Sequence, residues 1–487
     1  MTEKEKGLYA AFKAKDARFD GRFFVGISST GIYCRPVCRA KTPREENCAF
    51  FATAAQAEQA GYRPCLLCRP ELAPGQSVTD ASGALARKAA RILEENCGSG
   101  QSLCELAGRL GCTDRHLRRV FTEEYHVSPV QYLQTCRLLL AKHLLTDTDL
   151  PVTEVALASG FGSLSRFYAL FQTHYKLSPT ALRKRVLEKG RLSGSITLAL
   201  GYRPPYLWNN MLHFLAGRAI AGIDLVRNDS YWRTVELENG AGRRFTGWIQ
   251  VSHNKPEKHV LCVTLSETLL PVLSQVLARV RLLFDLHCDP AAVYDGLRSM
   301  NGIRPGLCVP GTRVPGCFDA FEMAVRTVLG QQITVKAAST LAARLTAAYG
   351  KPVETGIEGL THVFPSPADV VALGEGVEER FGALGITAAR SRTIYALAQS
   401  LVHGELRLDP CVNPEEEMKK LLRIRGIGPW SAQYLAMRAM EWPDAFLHTD
   451  AGIKRALGGL PIKEMLAMAE TWRPWRSYAT VSLWNSL

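Results

Sequence analysis

The sequence predicts a multidomain α+β chain: a small four-cysteine domain, an all-α domain of tandem helix-turn-helix units, an α+β subdomain, and a helical domain built around a helix-hairpin-helix. Three observations carry this expectation. Cys34 and Cys38 are followed, after 26 intervening residues, by Cys65 and Cys68. Phe121, Tyr125, Ser128 and Pro129 recur as Phe171, Tyr175, Ser178 and Pro179, each offset by 50. A helical pattern breaks at Gly426-Ile427-Gly428 and restarts at Pro429. The expected boundaries are 1–75, 80–190, 195–267 and 268–487.

A chain of 487 residues is too long for one hydrophobic core. Its 47% hydrophobic and 22% charged residues are ordinary for a globular protein. No apolar run approaches the ~18 residues of a membrane span, and the charged start Met1-Thr2-Glu3-Lys4 shows no secretory h-region. The expectation is therefore a cytoplasmic protein with no membrane partner. Net charge is 59 − 46 = +13, and residues 1–190 hold 27 Lys+Arg against 19 Asp+Glu. The denser excess in the first half points to a polyanion, nucleic acid before membrane.

Taken in order, the first domain needs a metal because it is too small to bury much core. Two close cysteine pairs at this spacing supply four thiolates, the ligand set of one tetrahedral zinc. The bland alternative is a structural staple. Against it, Arg35, Arg39, Lys41, Arg44, Arg63 and Arg69 crowd the sulfurs as if to meet an anion, and a zinc-bound thiolate is a nucleophile wherever it can be reached. The other ten cysteines are scattered singly and read as buried thiols in a reducing compartment.

The second domain repeats a unit of helix, glycine turn and helix, with Ala107 and Gly111 recurring as Ala156 and Gly160. Thr113 and Ser163 are good N-caps for the second helix of each unit. That helix would enter a major groove. Arg115, Arg118 and Arg119 on one, with Ser163 and Arg166 on the other, favour double-stranded DNA over a plain helical bundle. Two reading heads on one chain make a monomer sufficient.

Residues 195–265 read as strands at 196–200 and 259–265 around a helix at about 207–220, and the chain from 268 onward as mostly helical. In the hairpin, Gly426 and Gly428 would let the backbone approach a DNA phosphate, which the next helix's N–H groups receive. Asp450, 22 residues past Gly428, reads either as the N-cap of a following helix or as a carboxylate facing the sugar of an extruded nucleotide, and the two roles are compatible. Trp430, Tyr434, Trp442, Trp472, Trp475, Tyr478 and Trp484 cluster nearby. They are core residues or rings against which a cationic damaged base would stack.

Two resemblances then enter. Thr30-Gly31-Ile32-Tyr33-Cys34-Arg35-Pro36-Val37-Cys38 and Gly61-Tyr62-Arg63-Pro64-Cys65-Leu66-Leu67-Cys68, with the tandem helix-turn-helix of AraC type, resemble the N-terminal part of the Ada adaptive-response family. The resemblance implies that Cys34 irreversibly accepts a methyl group from a DNA methylphosphotriester, and that the methylated protein activates transcription, with RNA polymerase as partner. It also implies that Lys41 and Arg63 contact the DNA backbone. Residues 195–487 resemble the AlkA family of 3-methyladenine DNA glycosylases through Pro204-Pro205-Tyr206, Arg304-Pro305-Gly306, the stretch from Val314 to Glu322, Val328-Leu329-Gly330-Gln331, the hairpin, and the stretch from Trp472 to Tyr478. This implies Asp450 as the catalytic carboxylate, a base pocket of Phe214, Trp430, Tyr434 and Trp484, and a bacterial, nucleoid-associated protein.

Three departures stand out. Pro-Cys-His-Arg does not occur, so the O6-alkylguanine methyltransferase half of full-length Ada is expected to be missing. Gln332 replaces the apolar residue that fills the gap left by a flipped base, and Thr449 precedes Asp450 where the family often has another Asp. Trp430 stands where lyase-competent hairpin glycosylases carry Lys, so no Schiff base forms and the expected enzyme is monofunctional. The competing class is a non-enzymatic regulator with structural zinc and a degenerate glycosylase fold used only to hold DNA.

Overall fold

The computed structural model describes residues 3–16, 19–20, 23–51, 54–68, 70, 78–98, 102–187, 196–239, 242–409 and 413–487. Arg69, Cys411 and the stretch 73–77, read from sequence as a linker, lie outside them.

In the first domain the strand Phe24–Ile27 (β1) pairs antiparallel with Ile32–Cys34 (β2) and with Cys48–Phe51 (β3), while Arg63–Pro64 (β4) runs parallel to β2. The order β3-β1-β2-β4 puts the first cysteine pair beside the second. The Cys65 N–H donates to the Tyr33 carbonyl at 3.0 Å, fixing that register.

The domain does not stand alone. The helix Glu3–Ala14 packs on the helix Pro290–Leu297, and the Phe19 ring sits edge-on to Trp475 with centroids 4.7 Å apart. Both rings are buried, and a Cβ at Gly296 would fall 2.5 Å from Trp475. Phe19→Ala would leave a cavity at this joint and is expected to lower stability by about 3–5 kcal/mol. Urea unfolding of the whole chain measures it, and an unchanged midpoint would show the joint to be energetically idle.

The repeat is physically one unit made twice. The helices Leu103–Arg109 and Asp114–Tyr125 form the first copy, Val152–Ala158 and Leu164–Tyr175 the second, with Pro129–Asp147 between them. Thr113 caps by accepting from the His116 N–H at 3.2 Å, and Ser163 by accepting from the Arg166 N–H at 3.4 Å. The second helices end on left-handed residues, His126 and Lys176, both at φ +58°. Phe121 and Phe171 are fully buried at matching positions. Gly160 is required twice over, since its φ is +81° and a Cβ would lie 2.4 Å from the Cys97 carbonyl oxygen.

The next segment is richer in strand than its sequence pattern predicts. Ile196–Gly201 (β5), Asp224–Arg227 (β6), Ser230–Glu238 (β7), Arg244–Lys255 (β8) and Val260–Leu265 (β9) form an antiparallel sheet of order β5-β9-β8-β7-β6. The expected helix is shorter, Trp208–Ala216. Leu198, Leu200, Met211 and Leu215 share one core with Leu140 and Leu144 of the helix-turn-helix domain. Ser274 Oγ also donates to the Glu95 carbonyl at 2.5 Å, so this domain too is packed against the C-terminal half.

From Leu273 onward the regular structure of the described residues is helical, apart from the small pairing of Lys351–Pro352 with His362–Val363 and a bridge of Leu360 to Gly222. The helices Ala320–Leu329, Pro414–Leu421, Pro429–Arg438 and Arg476–Asn485 converge on a core that includes Trp472, Trp475 and Tyr478. Five of the singly placed cysteines are buried as expected, but Cys104 is exposed on its helix. Among the described residues no helix is long and apolar enough to cross a membrane.

Candidate functional site

Two sites emerge, one in each half. In the first, the sulfurs of Cys34, Cys38, Cys65 and Cys68 all lie within 4.8 Å of one another. Four sulfurs this close cannot all be charged without a cation. A single soft dication resolves that conflict, so the donor set fits one zinc ion. The Arg35 N–H donates to Cys68 Sγ at 3.3 Å, as backbone does around metal-bound thiolates.

Arg35 departs from its sequence-based role. Its guanidinium is buried, ion-paired with Asp20 and bonded to the Cys68 carbonyl, so it braces the site and does not meet an outside anion. Arg39, Lys41 and Arg63 are exposed, and Arg44 pairs with Glu46 on the surface at 3.6 Å. Cys34, Cys38 and Cys65 are buried, and Cys68 is the most open of the four.

The second site is a cleft of about 980 Å³ between the helices of the C-terminal domain. Asp450 caps the helix Ala451–Ala456, its Oδ1 accepting from the Ile453 N–H at 3.1 Å. The same carboxylate accepts from two indoles, Trp484 Nε1 on Oδ1 and Trp430 Nε1 on Oδ2, each at 3.1 Å. Three donors from three segments hold it in one orientation at the cleft wall. Trp430 stacks on Tyr434 at 5.0 Å and 11°, and Phe214 on Trp484 at 6.1 Å and 23°. Trp430, Tyr434 and Trp484 thus line the cleft around Asp450, two of them serving the carboxylate as donors, while Phe214 is buried against Trp484 and does not line the cleft. Trp430→Phe keeps the stack and removes one N–H. Base release is expected to slow about tenfold, the scale of one hydrogen bond to a charged group; single-turnover kinetics would show it, and an unchanged rate would reduce Trp430 to a stacking surface.

The cleft is also lined by cations that the sequence reading misses, Arg218 and Arg438. The guanidinium of Arg218 sits 3.7 Å from the Phe214 ring centroid, and that of Arg438 at 4.8 Å. Arg438 also donates to the Tyr434 hydroxyl and to the Gly316 carbonyl. Burial pushes the Tyr434 phenol up, but Arg438, Arg218 and Arg326 outweigh it and hold the phenol below its ordinary value. For Arg438 the available signal was spacing, since it follows Tyr434 by four residues on the helix Pro429–Arg438; Arg218 lies past the end of the helix Trp208–Ala216, where helical spacing gives no signal.

The cleft's rim is built from the hairpin and one turn. Gly426 has φ +96°, and a Cβ there would strike Thr393 Oγ1 at 2.1 Å; at Gly428 it would meet nothing within 4 Å. The first glycine packs and the second leaves the approach open. The helix Pro429–Arg438 starts on Gly428 with no side-chain cap, leaving its N-terminal N–H groups for an anion. Gln332 lines the cleft, exposed and at φ +56°. Its neighbour Gln331 donates to the Gly426 carbonyl at 2.9 Å and to Ser431 Oγ at 3.0 Å, tying that turn to the hairpin.

On the helix-turn-helix domain, Arg115, Arg118, Arg119 and Arg166 are all exposed. Arg118 pairs with Asp114 at 2.7 Å and Arg119 with Glu123 at 2.8 Å. Such solvent-exposed pairs are worth only about 0.3–0.5 kcal/mol and yield readily to a phosphate or a base. Ser163 spends its side-chain oxygen on capping its helix.

A carboxylate fixed at the wall of a cleft, with an open helix start on its rim that could seat a phosphate, fits a DNA-acting helix-hairpin-helix fold, and the chain carries it behind a four-cysteine module and a tandem helix-turn-helix. Family models agree segment by segment. Residues 7–71 match the metal binding domain of Ada, 106–185 a helix-turn-helix domain, 197–319 the AlkA N-terminal domain, and 325–476 the HhH-GPD superfamily of base excision DNA repair proteins. A Mycobacterium tuberculosis protein, "Probable bifunctional transcriptional activator/DNA repair enzyme AlkA", is 36% identical over 496 residues, covering 100% of this chain and 97% of that one. DNA-3-methyladenine glycosylase 2 of Escherichia coli is 35% identical over 285 residues, covering 58% of this chain and 95% of its own. The Escherichia coli bifunctional transcriptional activator/DNA repair enzyme Ada is 33% identical over 160 residues, covering 32% of this chain and 42% of its own. This chain belongs to the family of bifunctional transcriptional activator/DNA repair enzymes AlkA.

Proposed function

We propose that the chain excises N-alkylated purines such as 3-methyladenine from double-stranded DNA, and that Cys34 takes a methyl group from a methylphosphotriester and so turns the protein into a transcriptional activator. The observation that carries the first activity is the threefold anchoring of Asp450 in the cleft. A flipped nucleotide would place its sugar against this carboxylate, with Gln332 entering the gap it leaves. As the bond between the anomeric carbon and the base nitrogen breaks, its electron pair leaves with the base. Positive charge grows on the sugar, where the fixed negative charge of Asp450 lowers the barrier. Water then adds to the sugar carbon and gives its proton to Asp450 or solvent. Trp430 offers no amine, so the product is an intact abasic site.

At the other site, zinc held by Cys34, Cys38, Cys65 and Cys68 would keep the sulfurs deprotonated at neutral pH. The Cys34 sulfur attacks the methyl carbon, the carbon–oxygen bond breaks, and the phosphate leaves as an ordinary phosphodiester anion. Cys34 becomes a thioether and the cluster loses one negative charge. At about 5 Å from a DNA phosphate that change is worth about 1 kcal/mol in water, and more in a lower dielectric. Lys41 and Arg63 hold the backbone, Arg115, Arg118, Arg119 and Arg166 the promoter, and RNA polymerase reads the bound form. The protein acts in the bacterial cytoplasm, at the nucleoid, and one chain suffices.

The test uses the zinc-loaded full chain and duplex DNA treated with dimethyl sulfate. Chromatography should find free methylated purine, and mass spectrometry one added methyl on the peptide containing Cys34. No free base would refute the excision; a methyl on another cysteine, or on none, would refute the acceptor role. Equal promoter affinity before and after methylation, across salt, would remove the switch.

A further inference from the structure

The two reading heads share one fold but present different chemistry. In the first recognition helix Leu117, Val120 and Phe121 are buried, and in the second Phe167 and Phe171. On a 3.6-residue period the stripes farthest from those faces are 115, 119 and 122 in one head and 165, 169 and 172 in the other. All six positions are exposed, and they correspond pairwise at the repeat offset of 50. The first stripe is Arg115, Arg119 and Thr122; the second is Ser165, Ala169 and Gln172. Arg115 has no partner among the described residues, and Arg119 holds an exposed pair to Glu123 and a 3.4 Å contact to the His116 ring nitrogen.

We infer that the protein reads an asymmetric bipartite operator, with guanines under the first head and A·T pairs under the second. In the major groove, arginine bonds bidentately to guanine O6 and N7, glutamine to adenine N6 and N7, and a small apolar side chain packs on the thymine methyl. Arg115 and Arg119 therefore select G·C pairs. Gln172 and Ala169 select adenine and thymine, and Ser165 tolerates either. Arg118 and Arg166 flank these stripes, where they meet phosphates and add affinity without sequence preference. Unlike a symmetric dimer on a palindrome, the chain would bind its site in one direction only.

Selection from a random duplex pool by the zinc-loaded full chain tests this. Enriched sites should hold two unlike halves, one with fixed G·C positions and one with fixed A·T positions. R115A should reduce discrimination at one guanine about tenfold and leave the other half untouched, the scale of one bidentate pair. Q172A should do the reverse. The double change S165R with A169R should bring guanine into the second half. The inference fails if both halves select the same bases, if R115A weakens all sequences equally, or if no sequence is enriched. Circular dichroism of each variant separates misfolding from lost readout, and S165R with A169R, at exposed positions, tests the code by a gain.

Discussion

Asp450→Asn should lower base release by about 10³-fold, the scale on which a fixed group at the reacting centre acts, while leaving the fold and DNA binding in place. Asparagine is as good an N-cap as aspartate, so the bond from the Ile453 N–H survives. The site itself does not. Trp430 and Trp484 both donate, one to each oxygen of the carboxylate. An amide offers one oxygen, and its NH2 group would face the other indole N–H, donor against donor. The charge that stabilises the developing cation is gone as well. Single-turnover release of 7-methylguanine measures the loss, and binding to an abasic-site duplex checks that the cleft is intact. Full activity in this variant would move the catalytic role elsewhere.

Removing the metal should have the largest structural effect. Three of the four sulfurs are buried, β2 to β4 are short, and four thiolates within 4.8 Å of one another repel unless a cation lies between them. Zinc-finger peptides draw about 10–16 kcal/mol from the metal, and this domain's own core is small. Chelation is expected to release one zinc per chain and unfold residues up to about 70. Because Phe19 is seated on Trp475, it should also lower the melting temperature of the C-terminal half. A metal content other than one, or a melting curve unmoved by chelation, would contradict this.

The cysteine pairs are legible in the sequence because each pair is local and the metal imposes its own spacing. The helix-turn-helix repeat is legible because Phe121 and Phe171 pack at the same place in two copies. Asp450 is visible as a cap and, through resemblance, as a carboxylate; its indole donors are not, because Trp430 and Trp484 stand 20 and 34 residues away and meet it only when three helices converge. The pairing of Arg35 with Asp20 was equally out of reach, since an arginine between two metal ligands looks the same whether it faces inward or outward. The strands β6 to β8 are a different kind of shortfall. Their burial follows alternation only in part: β7 is buried at six of nine positions and on both faces near its middle, so its period of two is blurred.

The clasp of the helix Glu3–Ala14 and Phe19 on a surface formed by Pro290–Leu297 and Trp475 has a genetic consequence. The two activities share one reading frame and also one folding equilibrium. Were the gene split in two, each product would expose an apolar face that the other now covers, Phe19 on one and Trp475 on the other. Mutations that loosen either partner would erode both, so selection acting on the C-terminal half also preserves the N-terminal domain. The fusion is in that sense self-maintaining, held together by packing as well as by the peptide chain.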